Sequence, residues 1–399
     1  MFANSYFEKS GQFSPVIPEK IHPDTLVIVI IPCLTEPDIL LTLRSLYDCH
    51  PVSGMVEVII LVNESIDAKE EISRYNRNTV AAIRDWMSHH PSEWLTFFPV
   101  GPVKLPAKWA GVGLARKTAM DEALYRFNQL NRPEGIIVSL DADTLVDENY
   151  FRSILKHFRE HPRDVGATLD FHHLTDGLPE KQQKGIRTYE KYLWYYKNAL
   201  TFTGYPHALY TIGSAFAVTA EAYRKRGGMT RRKAGEDFYF LQTLTQSGHV
   251  GEIKSTIVYP SARVSLRVPF GTGPFMKKWM DNQEEELMTY NFQAFRELKC
   301  FFEQRHLFFQ PGIAMNGPRG GSWPEAIQAF LAEEEVMTEL ELLARNCSRP
   351  EIFNDRFFQV FNAFRILKFL NFTHERFYQK KALELCIAEL DGEVNSSQE

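Results

Sequence analysis

No two cysteines in this chain stand close enough in sequence to suggest a CxxC metal clip or a dense disulfide framework. Cys33, Cys49, Cys300, Cys347 and Cys386 are odd in number and far apart. That pattern disfavours a disulfide-stapled scaffold and a structural zinc site, and it predicts a reducing compartment. The first 25 residues lack the apolar core of a signal peptide. No apolar run approaches the roughly 20 residues needed to cross a bilayer. Positive charge is not in excess either: 45 basic residues against 50 acidic give a net charge of -5, which offers no general argument for nucleic acid as a partner. The expectation is a cytoplasmic protein without a transmembrane segment, with peripheral contact at the inner face of a membrane left open.

What the chain does have is apolar material, 44% of its 399 residues, enough for a large buried core or for a catalytic domain with an appendage. Its apolar residues are arranged in short runs separated by helical patterns. Residues 26–31 (LVIVII) form a continuous apolar run, as a parallel strand covered on both faces requires. Residues 56–62, 94–100 and 136–140 read as three further strands, and helical patterns fill 67–90 and 112–130. This βαβα order predicts a mostly parallel α/β sheet, with ligands beyond the carboxyl ends of its strands. Later, 180–200 reads as a helix rich in tyrosine, 211–218 and 250–259 as strands, and 235–248 as a helix. Beyond Pro274 come Phe-rich helical patterns at about 275–308, 323–345, 353–370 and 374–391. The expected division is an N-terminal arm (1–25), a catalytic domain (26–272), a helical C-terminal region (273–391) and a flexible tail (392–399).

The sharpest chemical signal is Asp141-Ala142-Asp143, directly after a buried-strand run. Two carboxylates at i and i+2 beyond a strand end suit a hard divalent cation, which takes oxygen ligands and shares them with substrate phosphates. The bland reading is a turn before a helix, and Asp147 is expected to serve the N-terminus of that helix. A second acidic pair, Glu236-Asp237, opens a helix after Gly235. It either complements the helix dipole or supplies a general base through Asp237. The basic stretch 223–233 before it reads as a solvated loop, or as an aid to binding anionic groups. Arg263 and Arg267, in a polar segment that runs to Gly273, are read as a phosphate clamp on a loop able to close. The tyrosines of 189–196 are read as core before they are read as a sugar-stacking platform.

Four segments occur together and in order: IIPCLTEP, GVGLARKTAMDEA, SLDAD, and GSAFAVTAEAYRKRGGM followed by GEDFYFLQTLTQSG. In this set the chain resembles the GT-A, family 2 glycosyltransferases over about residues 26–260. The resemblance implies a GT-A fold (Rossmann-like, mostly parallel central sheet flanked by helices) and a hexosyltransferase-class enzyme using a nucleotide-sugar donor with Mn²⁺ or Mg²⁺. It implies that Pro32, Leu34 and Glu36, with Asn63 and Glu64 after the second strand, hold the base and ribose. Arg116 is implied to lie near the nucleotide, Asp141 near ribose or metal, and Asp143 on the metal, with Ala142 between them against the donor. Asp237, with Glu236 beside it, matches the base that deprotonates the acceptor hydroxyl. Asn63 and Glu64 stand where the family often has Asp, so base preference does not carry over. The QxxRW motif of the processive synthases is absent.

The acceptor, whether carbohydrate, lipid-linked or a small molecule, is not legible. The third metal ligand is likewise unassigned, His249 being the nearest earlier histidine and a surface residue by its context. Two other readings stay open. One is a sugar-phosphate nucleotidyltransferase, although Pro32-Cys33-Leu34-Thr35-Glu36 lacks that class's glycine-rich signature. The other is a non-catalytic, carbohydrate-binding member of the same fold.

Overall fold

The computed structural model describes residues 1–10, 13–232, 235–264, 271–281, 286–309 and 323–396. The chain divides into two compact units, residues 1–186 with 211–281, and residues 187–210 with 282–399.

The first unit is built on strands β1 (Thr25–Cys33), β2 (Met55–Ser65), β3 (Leu95–Leu105), β4 (Ile136–Ser139), β5 (Leu145–Val146), β6 (Gly166–Phe171), β7 (Phe216–Thr219) and β8 (Val250–Tyr259). They lie in one sheet in the order β3-β2-β1-β4-β7-β6-β8-β5. β1 pairs parallel to β2 and β4, β2 parallel to β3, and β6 parallel to β8. β7 and β5 run antiparallel to their neighbours. The expected mostly parallel sheet is therefore present. Val27 through Ile31 are fully buried, as a central strand with helices on both faces demands. β3 tolerates Pro99 and Pro102 because it is an edge strand, bonded only to β2.

Helices α1 (Asn4–Ser10), α2 (Ile39–Tyr47), α3 (Glu70–His89), α4 (Val112–Gln129) and α5 (Tyr150–Glu160) follow in chain order. They are succeeded by α6 (Glu180–Phe202), α7 (Ala220–Lys225), α8 (Glu236–Leu244) and α9 (Thr272–Asp281). α4 is tied to the sheet by a buried ion pair. Arg126 Nε and Nη2 donate to Glu57 of β2 at 2.6 and 2.9 Å, and Nη1 to the Glu19 carbonyl. Charges taken from water persist only when paired in this way.

Three local expectations change. The strand expected over 211–218 begins only at Phe216, which frees the preceding residues to reach the sheet's carboxyl edge. β6 escaped notice because Thr168 and Asp170 interrupt its apolar pattern. Asp147 does not serve the N-terminus of α5 with its side chain, since Asn149 holds the cap position. Its carboxylate instead accepts from the Ile257 N–H and the Tyr259 hydroxyl, both at 2.8 Å, and so fixes β8.

The second unit is helical: α10 (Phe292–Glu303), α11 (Glu325–Glu333), α12 (Val336–Arg345), α13 (Pro350–Val360), α14 (Ala363–Arg376) and α15 (Leu383–Ser396). Phe301, Phe302, Phe357 and Phe361 pack together as its core. The pattern expected as one helix over 323–345 is two, broken where Glu335 adopts a left-handed φ of 52°. In the part of α6 belonging to this unit, Tyr195 is buried and donates to the Tyr290 carbonyl at 2.8 Å. Tyr195 is thus core as expected, while Tyr189, Tyr192 and Tyr196 are half-buried.

Candidate active site

The carboxyl ends of β1, β2 and β4 and the start of α8 bring most of the expected site residues to one edge of the sheet. Arg116, one turn into α4, is the centre of the arrangement. Its guanidinium is 2% exposed and spends its donors on three elements. Nε reaches Glu236 at 3.1 Å, and Nη2 reaches Asp141 at 2.8 Å. Nη1 donates to the Gly213 carbonyl at 2.9 Å and to the Ser139 hydroxyl. Burial alone favours loss of its proton, but Asp141, Glu236 and Asp237 outweigh that and hold it firmly charged.

Asp237 sits on the first turn of α8, beside the buried Glu236. Its Oδ1 accepts from the Phe238 N–H at 2.7 Å. Desolvation pushes its carboxyl up to about 7, and Glu236 and Asp141 add to the rise, while Arg116 and the Phe238 N–H oppose it. A carboxyl held there exchanges its proton near neutrality, as a general base must.

Sequence reasoning missed three residues that build this centre. Ser139, the last residue of β4, donates to the Gly213 carbonyl at 2.7 Å. Gly213 leaves no room for a side chain: a Cβ there would lie 2.7 Å from Arg116 Nη2 and 3.2 Å from Asp237 Oδ2. Gly113 plays the same part at the start of α4, where a Cβ would lie 1.9 Å from the Arg232 carbonyl. The signal for the two glycines was their place inside otherwise regular segments, GVGLARK and GSAF.

A second cluster forms at the DAD motif. The side chains of Asp141 and Asp143 are 35% and 25% exposed, while Ala142 is buried and its carbonyl accepts from Thr42 Oγ1 at 3.0 Å. Arg263, beyond β8, donates to Asp143 Oδ2 at 2.9 Å and also to the buried Glu36. Arg263 thus joins the loop after β1 to the DAD motif. Burial again opposes its charge, and Glu36 and Asp143 restore it. Arg267 lies outside the described residues.

The residues expected against base and ribose divide. Pro32 is buried at the end of β1, and Leu34 is half-buried beyond it. Thr35 takes a left-handed φ of 44°, and its N–H donates to Asn76 Oδ1 at 3.1 Å. Glu64 faces inward: its carboxylate accepts from Ser73 Oγ at 2.9 Å and Asn76 Nδ2 at 3.2 Å. Asn63 is 2% exposed, and its carbonyl accepts from the same Asn76 amide. Asn76 on α3 therefore braces both the loop after β1 and the end of β2. His249 pairs with Asp164 at 2.7 Å. Among the described residues no three His, Cys, Asp or Glu groups stand together as a metal cage, and no helix is long and apolar enough to cross a membrane.

Residues 136–310, which include Ser139, Asp141, Asp143, Gly213, Glu236, Asp237 and Arg263, match a family model described as glycosyl transferase family group 2. No curated protein matches the sequence. Among solved structures, S. aureus TarS 1-349 is 13% identical, covering 85% of this chain and 91% of its own, with a TM-score of 0.41. The mannosyltransferase PcManGT from Pyrobaculum calidifontis, in complex with GDP-Man and Mn²⁺, is 14% identical, covering 93% of each chain, with a TM-score of 0.39.

Proposed function

We propose that this chain, which resembles the family 2 glycosyltransferases, moves a sugar from a nucleotide-diphosphate donor to an acceptor hydroxyl with inversion. The observation that carries the reading is Asp237. Its carboxyl is half-buried, raised to about 7, and adjoins an Arg116 guanidinium that also binds Asp141. Asp237 takes the proton of the attacking hydroxyl, and Arg116 keeps Asp141 and Glu236 in place without adding net negative charge. Arg263 supplies a cation at the DAD motif, where the departing diphosphate gathers charge.

The donor set fits a hard divalent cation. Asp143 and Asp141 offer carboxylate oxygens at a strand end and remain part-exposed. With no third metal-ligating side chain grouped with them among the described residues, donor phosphates and water would complete the shell, as is usual for Mg²⁺ and Mn²⁺. The cation would offset charge on the leaving diphosphate. Pro32, Leu34 and two of the last residues of β2, Asn63 and Glu64, are proposed to frame the nucleoside. Because Glu64 is bonded to α3, it acts by fixing the end of that strand.

The test is a panel of nucleotide sugars screened by thermal shift with and without Mn²⁺, since a specific ligand stabilises by mass action. Donors that shift the melt are then incubated with acceptors, and products are read by mass spectrometry and by NMR of the new anomeric centre. Metal-dependent stabilisation followed by sugar transfer is expected. Release of pyrophosphate from a nucleoside triphosphate and a sugar phosphate would replace this reading with nucleotidyl transfer. Donor binding without turnover under any condition would make the chain a binding protein.

A further inference from the structure

The N-terminal arm is fastened to α4 by its backbone. The Ala3 N–H donates to Asn128 Oδ1 at 2.8 Å, and the Val16 N–H to Glu122 Oε2 at 2.9 Å. Fastened there, α1 forms one wall of a cleft of about 540 Å³, with α4, α7 and the segment after α7 as the others. That volume lies within the range of small-ligand sites. The lining is cationic: Lys9, Lys117, Arg224, Lys225 and Arg231 all face it, with Tyr6. Five cations in one cleft are notable in a chain whose net charge is -5.

The acidic residues nearby are already committed. Asp121 accepts from Tyr6 and Tyr223 hydroxyls at 2.6 and 2.7 Å and from Lys117 Nζ at 2.8 Å. Glu221 holds Arg224 at 2.7 Å and Lys225 at 3.2 Å. Lys9 and Arg231 have no carboxylate partner among the described residues. Lys117 uses two of its three N–H donors, on Asp121 and Tyr6, and keeps one. The wall is also closely fitted. Gly228 has a φ of 74°, and a Cβ there would lie 2.2 Å from the Tyr6 hydroxyl, so a side chain at 228 would displace Tyr6 from Asp121.

We propose that this cleft is a second binding site, formed by residues other than those of the DAD and Glu236-Asp237 clusters, and that it takes a phosphate-bearing anion. Lys9, Arg231 and the spare donor of Lys117 supply charge-assisted hydrogen bonds to phosphate oxygens. The site stands on this geometry alone and does not depend on sugar transfer. A free phosphate ester and a lipid headgroup share the required chemistry.

The full chain is titrated calorimetrically with inorganic diphosphate in EDTA at low salt. Saturable binding is expected, weakened at least tenfold in Lys9→Gln/Arg231→Gln, whose exposed substitutions leave the melting temperature unchanged. Lys254→Gln, an exposed lysine on β8 outside the cleft, keeps the wild-type affinity. Absence of saturable binding, an unchanged affinity in the double variant, or an equal loss in Lys254→Gln would overturn the assignment. Sedimentation with phosphatidylglycerol and with phosphatidylcholine vesicles then separates the sources. Pelleting with the anionic vesicles only, lost in the double variant, supports a lipid headgroup. Diphosphate binding without pelleting supports a soluble ligand.

Discussion

Arg263 Nη2 lies 2.9 Å from Asp143 Oδ2, so the carboxylate proposed for the metal already has a cation beside it. The same guanidinium also satisfies Glu36, which is almost fully buried. A divalent ion entering at Asp143 must share that carboxylate with Arg263 or displace it. Removing Arg263 therefore has opposed effects on cation binding and on catalysis.

In Arg263→Gln, Mn²⁺ binding without nucleotide is expected to tighten about fivefold, the equivalent of the ~1 kcal/mol of a part-exposed ion pair. Transfer is expected to fall, because the donor's diphosphate loses a cation. Mn²⁺ titration by electron paramagnetic resonance checks the first effect, and unchanged or weaker binding would count against the competition.

Asp237→Asn removes the proposed base while keeping the shape of the side chain. A fall in kcat of about 10²–10⁴-fold is expected, with donor affinity within about twofold of wild type on the reading that the base acts only on the acceptor. Steady-state kinetics beside calorimetry of donor plus metal separates the two. Near-normal turnover would remove Asp237 from the mechanism.

The raised carboxyl gives a pH signature in both rate and stability. kcat/KM is expected to rise with pH through about 7 and then level off as Asp237 loses its proton. The stability change has the opposite sense. Because the folded pKa exceeds the ordinary value of 3.8, the folded state holds the proton more tightly between the two values. Stability from this group is thus lost as pH rises through that window. Melting curves from pH 4 to 8 should show Asp237→Asn gaining on wild type as pH increases. A constant difference would mean that the carboxyl is not raised.

Arg116→Ala strips the guanidinium that pairs with Glu236 in a buried site. Breaking such a pair costs about 3–5 kcal/mol, so a lower urea midpoint is expected together with loss of transfer. Gly213→Ala is the gentler probe. It crowds Arg116 and Asp237 without removing a charge, and should reduce transfer by more than it reduces the urea midpoint. A loss of stability as large as that of Arg116→Ala would show Gly213 to be a folding residue only.

Much of the first unit was legible in the sequence because its signals are local. The unbroken apolar run that became β1, Asp141 and Asp143 at a strand end, and Glu236 and Asp237 opening a helix all rest on neighbouring residues. Of the tyrosines of α6, read as core before a sugar-stacking platform, Tyr195 is fully buried. Glu64 was not legible in this way. Its carboxylate looked available, and only the packing of α3 against β2 turned it toward Ser73 and Asn76. Nor did sequence reveal that one guanidinium joins Asp141, Ser139, Gly213 and Glu236, residues 23 to 120 positions from Arg116. The pairing of Arg263 with Glu36, 227 positions away, is of the same kind. Such contacts follow from strand order and from which loops emerge at one edge of the sheet. The sequence by itself determined which groups have the chemistry to act; the tertiary structure decided which of them meet, because a buried charge is held only where the fold brings it a partner.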